Sequence, residues 1–142
     1  MSSSSPSAVR ECTATIATKP RFTATQISYS VNPFFTIIKA DEDVDANLSR
    51  SIAITLGVYI PLGDTPYEQG SEHFAHFAYS ETTHQSGSST TITYSGVDHS
   101  GGVTVIRSDP SNNAVHATFK LSVQKGNEPP LSVDALINYD PN

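Results

Sequence analysis

The sequence predicts an all-β protein, an antiparallel β-sandwich of about nine strands. Three stretches carry that expectation. In "SIAITLGVYI", Ile52, Ile54, Leu56, Val58 and Ile60 share one face. In "AVHATFKLSV", Val115, Ala117, Phe119, Leu121 and Val123 share one face, with His116, Thr118, Lys120 and Ser122 on the other. In "LSVDALINY", Leu131, Val133, Ala135, Ile137 and Tyr139 line up in the same way. A period of two is that of a strand with one wet side, and a helix would scatter these side chains around its axis. Composition agrees. Hydrophobic residues make up 37% of the chain and charged residues only 15%. A balance rich in Ser, Thr, Asn, Gly and Pro is that of β proteins with many turns.

The elements follow in order. Residues 1–7 are polar and Ser-rich and are expected to form a flexible tail, leaving 8–142 as a single domain. "ECTATIAT" alternates through Cys12, Ala14 and Ile16. In "RFTATQISYSV", Phe22 and Ala24 hold one phase while Ile27, Tyr29 and Val31 hold the other, which predicts a bulge near Thr25–Gln26. "FFTIIK", "HFAHFAYS", "TTITYS" and "GVTVIRS" read as further strands. Turns are marked by Pro61, Gly63, Asp64 and Pro66, by Gly87, by Gly101–Gly102, by Asp109–Pro110 and by Pro129–Pro130. "VTVIRSDPSNNAVHATFKL" reads as an antiparallel hairpin turning on Asp109, Pro110, Asn112 and Asn113. So many short strands hide their apolar faces in two packed sheets or a closed barrel, and the sandwich is favoured.

Bulk properties exclude several functions. The formal net charge is −6 and no Lys/Arg cluster occurs, which argues against nucleic acid or an anionic membrane as partner. A basic protein partner fits that charge. A single cysteine, Cys12, excludes an internal disulfide framework, and its place in an apolar alternation predicts a buried, inert thiol. "MSSSSPSAVRE" has neither the basic nor the apolar region of a secretory signal, and no apolar run is long enough for a membrane helix. The expectation is a soluble chain, cytoplasmic or secreted with its leader already removed.

The stretch "GGVTVIRSDPSNNAVHATFKLSVQKGNEPPLSVDALINYD" resembles the C-terminal part of a family of small bacterial β-sandwich domains, often lipoproteins, with no assigned function. The shared features are a Gly-led strand, an Asp/Asn turn, a core triplet and a return strand. The triplet here is Ala117-Thr118-Phe119, with Ala in place of the family's usual Gly. "KPRFTAT" and "GVYIPLGDTPY" resemble the family's earlier elements more loosely, and the lipid-attachment cysteine near the start is missing. The resemblance implies a β-sandwich from about Val9 to Tyr139 and brings no catalytic residue with it.

Candidate chemistry is sparse. "KADEDVDANLSR" sets Asp41, Asp43, Asp45 and Asn47 at alternate positions, as oxygen ligands of calcium can be. An EF-hand is excluded, because Ala46 and Ile52 stand where that loop needs Gly and Glu. The alternatives are a different calcium site or a solvated acidic loop between strands. His73 and His76 lie three apart and would face opposite sides of a regular strand, which separates them as metal ligands. No nucleophile elbow or phosphate-cradling loop occurs. Asp134 falls on a wet face and Asp64 in a turn. A sugar site in a β protein usually stacks its ligand on aromatics. With no Trp in the chain, Tyr67, Tyr79 and Tyr94 are the candidate platforms, and Tyr59 points away from the Ile52–Ile60 face. Asn47 also opens an N-glycosylation sequon. The expected function is a non-enzymatic binding or structural module, with any site in loops at one end of the fold. Its alternatives are a lectin-like or calcium-assisted binding protein and a self-assembling subunit.

Overall fold

The computed structural model describes residues 8–142; the expected N-terminal tail lies outside them. The chain is all-β and antiparallel, as the alternation predicts. Eleven strands form one sheet: β1 (Val9–Ile16), β2 (Phe22–Thr23), β3 (Gln26–Val31), β4 (Phe35–Asp43), β5 (Leu48–Gly57), β6 (Gly63–Pro66), β7 (Phe74–Gln85), β8 (Ser88–Gly96), β9 (Gly102–Asp109), β10 (Ala114–Gln124) and β11 (Leu131–Asp140). The two beyond the expected nine are the short β2 and β6.

The hydrogen-bonded order is β2-β1-β11-β10-β8-β7-β5-β4-β3, and β6 and β9 branch off β10. The sheet stays open, since among the described residues β2 and β3 end the path without pairing with each other. Strand β10 joins its two halves. One side of β10 pairs with β11, while the other pairs with β9 along Ala114–Lys120 and with β8 at Val123 and Gln124. Both halves feed one core, in which Phe22, Ile38, Ile52, Phe77, Phe119 and Ile137 are fully buried. Each such side chain contributes roughly 1.5–3 kcal/mol by leaving water.

The phase change in "RFTATQISYSV" has a different cause from the bulge expected there. The Ala24 N–H donates to Cys12 O in β1, and the next amide, Thr25 N–H, donates to Asp41 O in β4. The chain thus crosses from one half of the sheet to the other at Thr25, and each half sets its own inward phase. The real bulges are elsewhere. One sits at Ala75, where Leu56 pairs with Phe74 and Thr55 with His76. It lets Phe74 and Phe77, three apart, both enter the core with ring centroids 6.3 Å apart. Regular alternation is therefore broken between His73 and His76, so the strand geometry expected to separate them does not apply. The other bulge leaves Ile106 without a partner in the β9–β10 pairing.

The Asp109–Asn113 turn forms as expected, around a short 3-10 turn over Pro110–Asn112, with Asn113 in the left-handed region at φ 56°. Asp64 does not serve a turn. It lies in β6, where its Oδ1 accepts a hydrogen bond from Thr104 Oγ1 at 2.6 Å.

Candidate functional site

The two ends of the β4–β5–β7 region differ in chemistry. At one end, β4 runs on through Asp43, so Asp41 and Asp43 are strand residues and not part of a loop. The tight connection after them is held by Asp45, whose Oδ1 accepts the N–H groups of Asn47 at 2.7 Å and Leu48 at 2.9 Å. Asp41 pairs with Lys39 at 3.7 Å. The acidic stretch therefore does not gather into the ligand shell considered for calcium. Among the described residues, no three His, Cys, Asp or Glu side chains come close enough together to hold a metal ion. The turn also docks on its neighbours: Asn47 O accepts the His84 N–H at 2.7 Å. His84 bridges two hydroxyls, with Nε2 3.2 Å from Ser49 Oγ and Nδ1 3.0 Å from Ser89 Oγ. A serine nucleophile would need a carboxylate on that second nitrogen to orient the imidazole and stabilise its charged form. A hydroxyl stands there instead.

Glu42, within the acidic stretch, and Arg50, beyond it, turn inward. Arg50 is only 4% exposed. Its Nε donates to Glu42 Oε1 at 2.7 Å, and its two terminal nitrogens donate to Pro20 O and Arg21 O at 2.7 Å each. Glu42 Oε2 accepts the Thr23 N–H at 2.8 Å. A second ion pair follows, with the Tyr79 hydroxyl donating to Glu81 Oε2 at 2.7 Å and Lys19 reaching Glu81 Oε1 at 3.2 Å. These bonds fasten the β1–β2 connection to β4, β5 and β7. Every charge in the cluster has a partner, as burial demands, so we read it as structural.

The three candidate tyrosines do not serve as stacking platforms. Tyr67 and Tyr79 are fully buried and Tyr94 nearly so. The Tyr67 ring meets Phe74 edge-on with centroids 4.8 Å apart. Tyr79 and Tyr94 pack at 5.8 Å, and the Lys19 ammonium lies 5.4 Å from the Tyr94 ring centre. The core covers the faces a sugar would need, and burial pushes the Tyr67 and Tyr79 phenols above their ordinary value. Burial likewise pushes the Cys12 thiol up to about 12, in line with an inert residue.

The opposite end exposes what the core elsewhere covers. Tyr59 is 86% exposed, Phe34 73% and Leu62 69%. Phe34 lies in the β3–β4 turn, where Asn32 Oδ1 accepts the Phe34 and Phe35 N–H groups at 2.8 Å each. Tyr59 and Leu62 lie between β5 and β6. The Val58 N–H donates to Phe34 O at 3.0 Å, and the Gly57 N–H to His73 O at 2.6 Å, so three connections meet here. Gly57 is required by this meeting, because a Cβ there would run into the Glu72 carbonyl oxygen. Phe34, Phe35, Tyr59, Glu72 and His73 line a hollow of about 200 Å3. Beside it, His73 Nε2 lies 3.6 Å from Glu72 Oε1, and His73 Nδ1 is buried without a hydrogen-bond partner among the described residues. Tyr59 was legible as outward-facing. Phe34 falls just outside β4, which starts one residue later than "FFTIIK" suggests, and Leu62 lies in an irregular segment, where no period assigns a face.

Larger hollows, of about 530 and 510 Å3, adjoin on the outer face of β10 around Gly101 and Lys120. Their walls mix Ser and Thr with Gly, Pro, aliphatic and charged side chains, and carry no aromatic ring.

Comparison with protein-family models, with curated proteins and with solved structures returned no match. The likeness to small bacterial β-sandwich domains thus rests on strand pattern alone. No helix among the described residues is long and apolar enough to cross a membrane.

Proposed function

We propose that the protein is a non-enzymatic binding module that holds a carbohydrate at its aromatic end. One observation carries this reading: Tyr59 and Phe34 stand 86% and 73% exposed around a hollow of about 200 Å3. Large apolar side chains left in water at the rim of a concavity mark a recognition surface. The hollow is smaller than the pockets that enclose drug-sized ligands, and it matches a single ring rather than a long chain. The C–H face of a sugar ring would stack on Tyr59 or Phe34, and its hydroxyls would bond to the Glu72 carboxylate and the His73 imidazole. Aromatic faces supply contact area, and these two polar groups supply orientation.

A glycan array tests this directly. The wild-type chain is expected to be retained on a subset of glycans, and the double variant Phe34→Ala/Tyr59→Ala to lose at least tenfold in affinity while keeping its melting temperature. Absence of retention on every glycan, or retention unchanged in the double variant, would overturn the reading.

A further inference from the structure

We infer that strand β8 is a docking edge for a second copy of this chain, which pairs with it antiparallel to continue the sheet across a two-fold axis. Beyond Gly96 and Ser95, which pair with Val123 and Gln124 of β10, the pairing on that side of β8 stops. Among the described residues, Ser88 to Tyr94 pair only with β7. The direction of the free groups follows from the hairpin. Gln85 and Ser88 close it around Ser86–Gly87, and pairs alternate from there between those that exchange hydrogen bonds and those that turn their backbone groups outward. Ser89, Thr91 and Thr93 therefore present N–H and C=O to the free edge. The Val97 N–H, in the same phase, donates outward to Ser122 O at 2.9 Å, as this parity requires.

Open edges of this kind are normally blocked by charge, proline, brevity or a covering segment. Most of the other edges here are blocked. Strand β6 is four residues long and carries Asp64 and Pro66. The outer half of β9 carries Arg107 and Asp109, tied together with Asp140. Strand β2 has two residues. Strand β3 lies against β1 and β11, with Tyr29 stacked on Tyr139 at 5.2 Å. Strand β8, "SSTTITYSG", has no charge, no proline and no bulge, and Ser88 to Thr91 are exposed.

A second copy is the occupant this edge fits. The chain carries net charge −6, which makes like-charge repulsion least where the surface of a copy is uncharged, and the sequence of β8 is uncharged on both sides of the axis. Centred on Thr91, an antiparallel pair sets Thr91 opposite its own copy and Ser89 opposite Thr93. All three positions are among those with outward groups, so donors meet acceptors throughout. The same register keeps the outer faces together. The hydroxyl pairs Thr82–Thr91 at 2.9 Å and Ser80–Thr93 at 3.1 Å lie on that face, and the dimer would extend their row. Two copies would also present two aromatic ends, raising avidity for a repeated ligand, but the pairing itself does not depend on the proposed carbohydrate site.

The test is sedimentation of the full chain over a concentration series from micromolar to millimolar, with Thr91→Pro beside it. Because the Thr91 N–H points outward, proline removes a donor at the edge and leaves the β7–β8 ladder whole. The wild type is expected to shift from monomer to dimer as concentration rises, with slowed amide exchange at Ser89, Thr91 and Thr93. Thr91→Pro is expected to keep the wild-type melting temperature at low concentration and to weaken dimerisation at least tenfold. A wild type that stays monomeric throughout overturns the inference. So does a dimer that Thr91→Pro leaves intact, or slow exchange at those amides in the monomer, which would mean another segment of the same chain covers the edge.

Discussion

The acidic end and the aromatic end of the β4–β5–β7 region invert the impression their sequences give. "KADEDVDANLSR" looks like a site, yet its groups serve the fold. Asp45 holds a turn, Asp41 meets Lys39, and Glu42 and Arg50 bind each other and the β1–β2 connection. "NPFF" and "GVYIPLGD" look like strand ends running into turns, yet there Tyr59, Phe34 and Leu62 stay in water. Polar residues become part of a structure when their hydrogen bonds close on the chain itself. Apolar residues become a surface when nothing in the chain covers them. The residues free to meet a ligand are thus those without an internal partner.

The largest expected effect comes from breaking the closed end. In Arg50→Ala the guanidinium is lost, leaving Glu42 half-satisfied and the Pro20 and Arg21 carbonyls without donors. Removing one partner of a buried pair costs about 3–5 kcal/mol. Urea unfolding should show that loss in the midpoint. A loss below about 1 kcal/mol would show that the cluster does not hold the β1–β2 connection.

Alkaline pH should act on the core between the two ends, through groups kept protonated by burial. The Cys12, Tyr29, Tyr67 and Tyr79 side chains are all raised, burial being the largest cause in each. As pH climbs past the ordinary values, about 8.5 for the thiol and about 10 for the phenols, the unfolded chain gives up these protons first. The stability they confer is therefore complete below those values and is lost as pH rises toward the folded ones. The melting temperature should hold between about pH 6 and 8 and fall steadily above about pH 9. Cys12→Ala should delay the onset of that fall, although its own cavity lowers stability at every pH. A melting temperature unchanged up to pH 11 would contradict the burial of these groups.

Most of this fold is written in the period of its strands, and the gaps have physical causes. Strands β2 and β6 are too short to show a period. The crossing at Thr25 mimics a bulge because both shift the phase by one residue. The inward pair at the acidic end was open to the same parity argument that found the core. Glu42 continues the phase of Ile38 and Ala40, and Arg50 precedes Ile52 and Ile54 in theirs, so each sits where the core is. Charge drew both residues into a solvated reading, although an opposite charge on the facing strand pays for an inward one. Tyr67, Tyr79 and Tyr94 failed as platforms for the converse reason. Tyr79 follows Phe77 in the inward phase of β7, and Tyr94 continues the phase of Ile92 in β8. Tyr67 lies outside any strand and is buried by Phe74 and the approach of Gly96, which no local pattern displays.

The smallest expected effect separates the two ends most sharply. Asp45→Ala takes one acceptor from two amides at an exposed turn, a loss comparable to that of a helix cap, about 1 kcal/mol. Tyr59→Ala removes a side chain that is 86% exposed and should move stability by no more than about 0.5 kcal/mol. Measuring both variants in urea with and without millimolar calcium makes the contrast decisive. If Asp45 only closes its turn, its variant loses the same amount in either buffer. If calcium stabilises the wild type and Asp45→Ala abolishes that gain, the acidic end is a binding site after all, because a ligand that prefers the folded state raises its stability by mass action. The carboxylates would then have to swing together from the separated positions they hold here, at the expense of the turn that Asp45 now closes.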